Sequence, residues 1–294
     1  MTKPFRFTAP ADGVLTPAMV AAFESQGVLV LEDYLKADET ARLRAATEAL
    51  VQNFDPESVR TVFSTEDQKH AADTYFRESG DKIRYFFEAG AINEQGELVR
   101  DKTLALNKIG HALHDLDPEF QALSRLDRLE NTARAVGLAD PGLIQSMLIF
   151  KQPQIGGEVG MHQDSTFLHT DPLSCTGFWF ALEDATTENG CLFGLPGLEG
   201  RTLAERFHYE GDDLVMSPAQ PTAMPMDQAV ALEAPEGTLV VLHGLFPHAS
   251  HPNLSDKSRQ AYALHMVDRA ATWSADNWLR RGTPMTGFEA RPSA

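Results

Sequence analysis

Two side chains that can bind a metal ion lie two residues apart, at His162 and Asp164. In an extended strand such residues project from the same face, so one cation can contact both the imidazole and the carboxylate. A third ligand must come from elsewhere, and the apolar segment 242–249 offers His243 and His248. Two histidines and one carboxylate leave about half of an octahedral iron(II) shell open, as oxygen chemistry requires. Alone, however, a His-X-Asp pair is more typical of polar residues at the exposed end of a strand.

An arginine that follows His248 favours this histidine as the third ligand. Arg259 lies 11 residues later, and the segment 252–255, Pro-Asn-Leu-Ser, is typical of a turn. If this turn closes a symmetric hairpin, His248 and Arg259 become direct cross-strand neighbours, whereas His243 faces Leu264. Because a guanidinium can hold a carboxylate by two parallel hydrogen bonds, the pattern predicts a carboxylate ligand beside the metal. The alternative is that Arg259 forms an ordinary salt bridge at the surface.

These residues lie in the part of the chain whose pattern predicts strands. From about Leu143 onward, turn residues separate short runs of β-branched and aromatic residues, a texture that is typical of a double-sheet jelly roll. The runs are 143–150, 176–182, 238–242 and 261–267. The segment 199–237 contains several prolines and little periodicity, so we expect it to be a loop or insertion near the active-site mouth.

The first 140 residues are predicted to be rich in helix. Asp38 is expected to cap a helix in which Leu43, Ala46 and Leu50 recur at spacings of three and four residues. Further helical patterns lie at 110–116 and 118–136, and strand patterns at 83–87 and 93–98. We therefore predict one domain over residues 1–294 that is mainly β, with a double-stranded β-helix (jelly-roll) core over 141–270 and N-terminal helices packed outside it.

Charge and composition exclude several classes of protein. The formal net charge of −17 repels phosphate backbones and acidic membrane surfaces, and no basic cluster offsets it, so nucleic acid is not an expected partner. Cys175 and Cys191 are the two cysteines, and the first residues lack the apolar run of a secretory signal. No stretch of eighteen apolar residues occurs. These features predict a cytoplasmic protein that does not span a membrane.

Seven ordered sequence strings resemble the phytanoyl-CoA dioxygenase family, in its "phytanoyl-CoA dioxygenase domain-containing" branch. The resemblance covers roughly residues 80–280. The strings lie at 82–88, 107–114, 145–153, 157–159, 162–164, 183–192 and 253–262. One departure follows Pro196-Gly197, where the family commonly has Ser-His and this chain has Leu198-Glu199. The resemblance therefore assigns this loop no role in substrate capture, and no metal ligand is lost.

The resemblance implies an iron(II) enzyme that uses 2-oxoglutarate and dioxygen to hydroxylate a C–H bond, with succinate and carbon dioxide as coproducts. The acidic charge, and not the resemblance, favours a small or medium organic substrate that is not a CoA thioester. The resemblance implies that His162, Asp164 and His248 bind the iron and that Arg259 binds the 2-oxoglutarate carboxylate. It also assigns 2-oxoglutarate contacts to Lys108, Met147 and Trp179, and more weakly to Gln163 and Ser258. Without it, Met147 and Trp179 would be taken for core residues and Lys108 for an exposed one.

Three other functions are compatible with the same residues. The chain could be a non-catalytic jelly-roll protein that binds metal and 2-oxoglutarate as a sensor or scaffold. It could be a zinc hydrolase that uses the same three ligands. It could also hydroxylate an acyl-CoA, as the family name suggests, although the phosphates of coenzyme A normally call for a local basic site that this acidic chain does not show.

Overall fold

The structure is a computed structural model, and it describes residues 5–56, 74–93, 97–218 and 224–291. The helices are α1 Pro17–Gln26, α2 Ala37–Asn53, α3 Thr74–Arg77, α4 Leu113–Leu116, α5 Pro118–Ser124 and α6 Asp127–Ala135. The strands are β1 Arg6–Thr8, β2 Val28–Glu32, β3 Ile83–Phe87, β4 Leu106–His111, β5 Pro141–Lys151, β6 Val159–His162, β7 Thr170–Asp171, β8 Thr176–Ala181, β9 Leu192–Gly194, β10 Glu205–Glu210, β11 Asp213–Pro218, β12 Val230–Leu232, β13 Leu239–His243, β14 His248–Ser250, β15 Arg259–Asp268 and β16 Thr272–Trp273.

Two sheets form the core of the molecule. The larger has eight strands in the order β1-β2-β13-β8-β15-β5-β4-β3, and the smaller has four in the order β12-β9-β14-β6. The side chains of β8 alternate between the two faces of the large sheet: Trp179 packs with Leu192 and Leu232 of the small sheet, whereas Phe178 and Phe180 belong to a second buried cluster. The prediction of a mainly β fold with a jelly-roll core is confirmed.

Helices α1, α2, α5 and α6 cover the outer face of the large sheet. Phe23 of α1, Leu43 of α2, Phe120 of α5 and Leu129 of α6 are all buried in the same cluster as Phe178. This is the packing that the apolar stripe of the second helix predicts, because such a stripe must be buried against another layer. The sheet is therefore held between helices on one side and the small sheet on the other.

The predicted helix cap at Asp38 is wrong. Helix α2 begins at Ala37, after Lys36 as the N-cap residue, and Asp38 lies in its first turn. The backbone N–H of Lys36 donates to the carboxylate of Glu39 over 2.8 Å, so the acid at the third helical position satisfies the free N–H group. The acid three residues after the N-cap therefore satisfies one free N–H group of the first turn, that of the N-cap residue itself.

Two further elements differ from the sequence-based expectation. The segment 199–237 contains a β10–β11 hairpin and strand β12 rather than loop alone, because Phe207 and Tyr209 alternate inward with residues that are less buried. The helix expected over 110–116 begins only at Leu113, since His111 still pairs with Ile83 and Ser146 in the large sheet.

That residues 1–294 form a single domain stays a prediction. Among the described residues, every helix is too short or too polar to cross a membrane.

Candidate active site

Three predicted metal ligands meet where two strands of the small sheet pair. His162 is the last residue of β6, His248 is the first of β14, and the two are direct partners in the antiparallel register. Asp164 opens the short 3-10 turn that follows β6. Its Oδ1 lies 3.8 Å from His162 Nε2 and 3.7 Å from His248 Nε2. One donor atom from each residue lies within 4.8 Å of the others, so a single cation can contact all three.

Backbone carbonyls fix which nitrogen of each histidine faces this point. His162 Nδ1 lies 2.8 Å from the oxygen of Gly160, and His248 Nδ1 lies 3.1 Å from that of Phe246. Since a carbonyl only accepts, each Nδ1 carries the hydrogen, and each Nε2 keeps a lone pair for a metal. Burial, with the neighbouring His248, lowers the pKa of His162 to about 4, so this ring is neutral at physiological pH.

The second oxygen of Asp164 faces a histidine that sequence reasoning missed. His265 Nε2 lies 3.3 Å from Asp164 Oδ2, and His265 is buried. Burial alone would raise the pKa of Asp164, but the imidazoles of His265 and His248 outweigh it and hold that pKa below its usual range. No motif surrounds His265. The signal that could have found it is strand alternation, because Arg259, Ala261, Ala263 and His265 share one face of β15.

Arg259 is a buried cation with an unused hydrogen-bond donor. Its side chain is 1% exposed, its Nε donates to the oxygen of Gly190 over 3.2 Å, and its guanidinium carbon lies 5.5 Å from the centre of the Trp179 ring. Its Nη1 is buried and has no hydrogen-bond partner among the described residues. Burial lowers the pKa of Arg259 to about 10, so it stays charged at neutral pH. A buried charge of this kind calls for an anionic ligand.

The predicted pairing of His248 with Arg259 is wrong. Arg259 pairs with Lys151 in the large sheet, whereas His248 pairs with His162 and Gly194 in the small one. The turn does not close a hairpin because Asn253 ties it to another strand. Its side-chain amide donates to the oxygens of Lys151 over 2.9 Å and Lys257 over 2.7 Å. The chain therefore crosses from one sheet to the other between the two residues.

His243, the alternative third ligand, lies outside the cluster of metal-binding side chains. It ends β13, and its Nδ1 accepts the backbone N–H of Leu245 over 3.1 Å. Its ring centre lies 6.0 Å from that of Phe23 in helix α1. The structure therefore brings His248, and not His243, to His162 and Asp164.

Three of the residues expected to contact 2-oxoglutarate share the inner face of the large sheet. Ala263 pairs with Met147 on one side and with Trp179 on the other, so these two side chains lie in one row across the sheet. Lys108 pairs with Ile149, which packs in the same cluster between the sheets as Met147 and Trp179. The Lys108 ammonium is buried, lies 5.2 Å from the centre of the Phe86 ring, and burial lowers its pKa to about 7.

The other two expected contacts are already bonded to protein groups. Gln163 Nε2 donates to the oxygens of Leu245 over 2.8 Å and Thr202 over 3.1 Å, and its Oε1 accepts from Ala204 N over 2.8 Å. Ser258 Oγ donates to Glu183 Oε2 over 2.8 Å. Gln163 thus joins the ligand turn to two loops, and Ser258 is tied to the segment that follows β8.

Comparison with known sequences places the chain in one family. The family model described as phytanoyl-CoA dioxygenase (PhyH) matches residues 23–261. "Phytanoyl-CoA dioxygenase" of Arabidopsis thaliana is 44% identical over 270 residues, which cover 92% of this chain and 95% of the relative. "Phytanoyl-CoA dioxygenase domain-containing protein 1" of Bos taurus is 42% identical over 276 residues, covering 90% and 95%.

Solved structures share the fold at much lower identity. EctD from S. alaskensis, crystallised with 2-oxoglutarate and 5-hydroxyectoine, has a TM-score of 0.63 at 20% identity and covers 96% of this chain and 90% of its own. The non-haem α-ketoglutarate-dependent carbocyclase SnoK from nogalamycin biosynthesis has a TM-score of 0.62 at 18% identity, with coverage of 92% and 90%. With two histidines and one carboxylate converging on one point, and with this sequence similarity over nearly its whole length, the chain belongs to the phytanoyl-CoA dioxygenase family and is a 2-oxoglutarate-dependent non-haem iron dioxygenase.

Proposed function

We propose that the protein hydroxylates a carbon of a small or medium organic substrate, consuming dioxygen and 2-oxoglutarate and releasing succinate and carbon dioxide. The observation that carries the proposal is the pairing of three converging metal donors with a buried arginine whose Nη1 has no protein partner among the described residues. His162, Asp164 and His248 would hold iron(II). When bound, the iron supplies the open coordination positions at which dioxygen and the keto acid react.

Arg259 would bind the 2-oxoglutarate carboxylate that lies farther from the metal. A guanidinium presents several N–H donors in a fixed plane and matches a carboxylate by two parallel bonds. The Nε of Arg259 is bonded to Gly190, which fixes the plane of the group, and Nη1 is left for the ligand. The ring of Trp179 lies beside the guanidinium and would restrict the carboxylate to one approach.

Lys108, Met147 and Trp179 would line the 2-oxoglutarate site on the inner face of the large sheet. Met147 and Trp179 pack with Ile149, Ala261 and Ala263 in the cluster between the sheets, so this wall is apolar. An apolar wall excludes water, and this strengthens the electrostatic contacts inside the site and limits side reactions. Gln163 and Ser258 would act indirectly, by holding in place the segments that carry Asp164 and Arg259.

An acyl-CoA substrate is the second candidate, because the Arabidopsis relative is named phytanoyl-CoA dioxygenase. The formal net charge of −17 disfavours it, since the phosphates of coenzyme A would be repelled unless a local basic group received them. We therefore propose a substrate that is not a CoA thioester, and a substrate screen should contain both free acids and their CoA thioesters.

The test begins with an anaerobic titration of the metal-free protein with iron(II) and 2-oxoglutarate, which should produce the visible charge-transfer band of the chelate. Under air, the same protein should convert 2-oxoglutarate to succinate, and a true substrate should accelerate this conversion. His162→Ala and Asp164→Ala should lose both the band and succinate formation. His243→Asn is the matched control, because asparagine can still accept the Leu245 N–H and His243 lies outside the cluster.

Two outcomes would contradict the proposal. A protein that forms the band but yields no succinate with any substrate would be a binding protein. Hydrolytic activity with zinc and without 2-oxoglutarate would indicate a hydrolase that uses the same donor set.

A further inference from the structure

The two oxygens of the metal-binding carboxylate have different surroundings. Asp164 Oδ1 lies 3.8 and 3.7 Å from the Nε2 atoms of His162 and His248, at the point where the metal donors converge. Asp164 Oδ2 points away from it and lies 3.3 Å from His265 Nε2. Within the described residues, Oδ2 is buried and has no hydrogen-bond partner. The 3.3 Å contact with His265 Nε2 is therefore the polar contact from which a bond to this oxygen can form.

Two neighbouring strands of the large sheet create the space for this contact. His265 of β15 pairs directly with Gly177 of β8. A Cβ atom added at Gly177 would stand 2.7 Å from Asp164 Oδ2 and 3.6 Å from His265 Nε2. Because any side chain at this position would meet the carboxylate, the glycine allows Asp164 to lie close to the strand and within reach of the imidazole.

The surroundings of His265 also select its tautomer. Its Nδ1 is buried and has no hydrogen-bond partner among the described residues. If Nδ1 carried the hydrogen, a buried N–H would be unsatisfied, and the lone pairs of Nε2 and Oδ2 would face each other. If Nε2 carries the hydrogen, its N–H lies beside a carboxylate oxygen, and Nδ1 is only an unused acceptor. The second tautomer is therefore the more stable.

We propose that His265 is a positioning residue: its Nε2–H, 3.3 Å from Asp164 Oδ2, bonds to this oxygen when the site is loaded and so restricts the carboxylate to binding the metal through Oδ1 alone. A carboxylate can bind a metal through one oxygen or through both, and binding through both would fill a position that the reaction needs open. The inference rests on the metal site proposed above and adds a residue to it. Outer groups that orient a ligand in this way commonly change metal affinity by about 10- to 100-fold when they are removed.

The experiment compares two replacements of His265 in the full-length, metal-free protein. His265→Phe keeps the size of the ring and removes the donor, whereas His265→Gln can place an amide N–H near the position of Nε2. The probe is cobalt(II) alone, measured by calorimetry and by its visible absorption spectrum, which reports the number and arrangement of ligands. His265→Phe should weaken cobalt(II) binding by about 10- to 100-fold and alter the spectrum. His265→Gln should restore most of both.

Two further variants separate a specific role from general disturbance. Gln145→Leu changes the cross-strand partner of His265 and should leave cobalt(II) affinity unchanged, because no hydrogen bond joins Gln145 to Asp164 within the described residues. Gly177→Ala should press on Asp164 Oδ2 from the neighbouring strand and weaken binding as His265→Phe does. Thermal unfolding of each metal-free variant establishes that it is folded.

Wild-type affinity and spectrum in His265→Phe would overturn the proposal. So would a folded His265→Gln variant as impaired as His265→Phe, because the shape of the ring and not its hydrogen bond would then be the cause. Failure of the metal site itself gives a different result: in that case Asp164→Ala would also bind cobalt(II) as the wild type does.

Discussion

Replacing Arg259 by leucine tests the cosubstrate site most directly. Leucine keeps part of the aliphatic stem and removes the guanidinium, which is 1% exposed and has an unpaired Nη1. A hydrogen bond to a charged group contributes roughly 1.5–3 kcal/mol, and Nη1 is the unpartnered donor from which such a bond to the carboxylate would be made. With about 1.4 kcal/mol for each factor of ten, we expect the Kd of 2-oxoglutarate to rise by about 10- to 100-fold. The kcat at saturating 2-oxoglutarate should fall by less than about tenfold, because the lost contact is remote from the metal.

The assay is anaerobic titration of the iron(II) protein with 2-oxoglutarate, followed by succinate formation as a function of its concentration. Lys151→Met is the matched control. Lys151 is the cross-strand partner of Arg259, but its ammonium is bonded to backbone oxygens, among them that of His251 at 2.9 Å. This variant should lose stability and keep its affinity for 2-oxoglutarate within about threefold. If Arg259→Leu binds 2-oxoglutarate as the wild type does, the carboxylate is held elsewhere and the reasoning fails.

Two stability predictions follow from other buried groups. Burial lowers the pKa of Lys108 from 10.5 to about 7, so between these values the unfolded chain binds more protons and the free energy of unfolding should rise with pH. Lys108→Met should therefore stabilise the protein by at most about 5 kcal/mol at pH 7 and by less at pH 9 in urea unfolding, and parallel pH profiles would contradict this. Tyr262→Phe should cost about 1–3 kcal/mol by leaving buried Ser124 without its 2.7 Å bond. Tyr85→Phe, whose hydroxyl is only partly buried, should cost less in the same assay.

The sequence predicted the metal site best where the ligands lie close together in the chain. His162 and Asp164 are separated by the period of a strand, so their convergence follows from one short segment. Five strands of the large sheet, β3, β5, β8, β13 and β15, were also predictable, because runs of β-branched and aromatic residues between turn residues favour strands. The short strands β9 and β12 of the small sheet were not predicted. The hairpin β10–β11 was missed because the prolines around it dominate the segment, although Phe207 and Tyr209 already show the inward alternation.

What could not be predicted depends on which strands are neighbours. The distance between His248 and Arg259 depends on whether the chain between them forms a hairpin or crosses to the other sheet. The same turn residues can begin either connection. The decisive contact is the bond from Asn253 to Lys151, which joins segments that are distant in sequence. His265 was invisible for the same reason: its importance comes from Asp164 and Gly177, and neither is near it in the chain.

The position of β6 at the end of the small sheet has a consequence for folding. In the part of the chain that the structure describes, this strand pairs with β14 alone, and it carries one metal ligand while β14 carries another. A cation shared by His162 and His248 would therefore fasten the outermost strand to its neighbour, in addition to the backbone bonds. Because such an ion binds the native chain, it would raise the free energy of unfolding, by about 2.7 kcal/mol at a concentration 100 times its Kd. When the ion leaves, the amide hydrogens of β6 should be among the first to exchange with solvent.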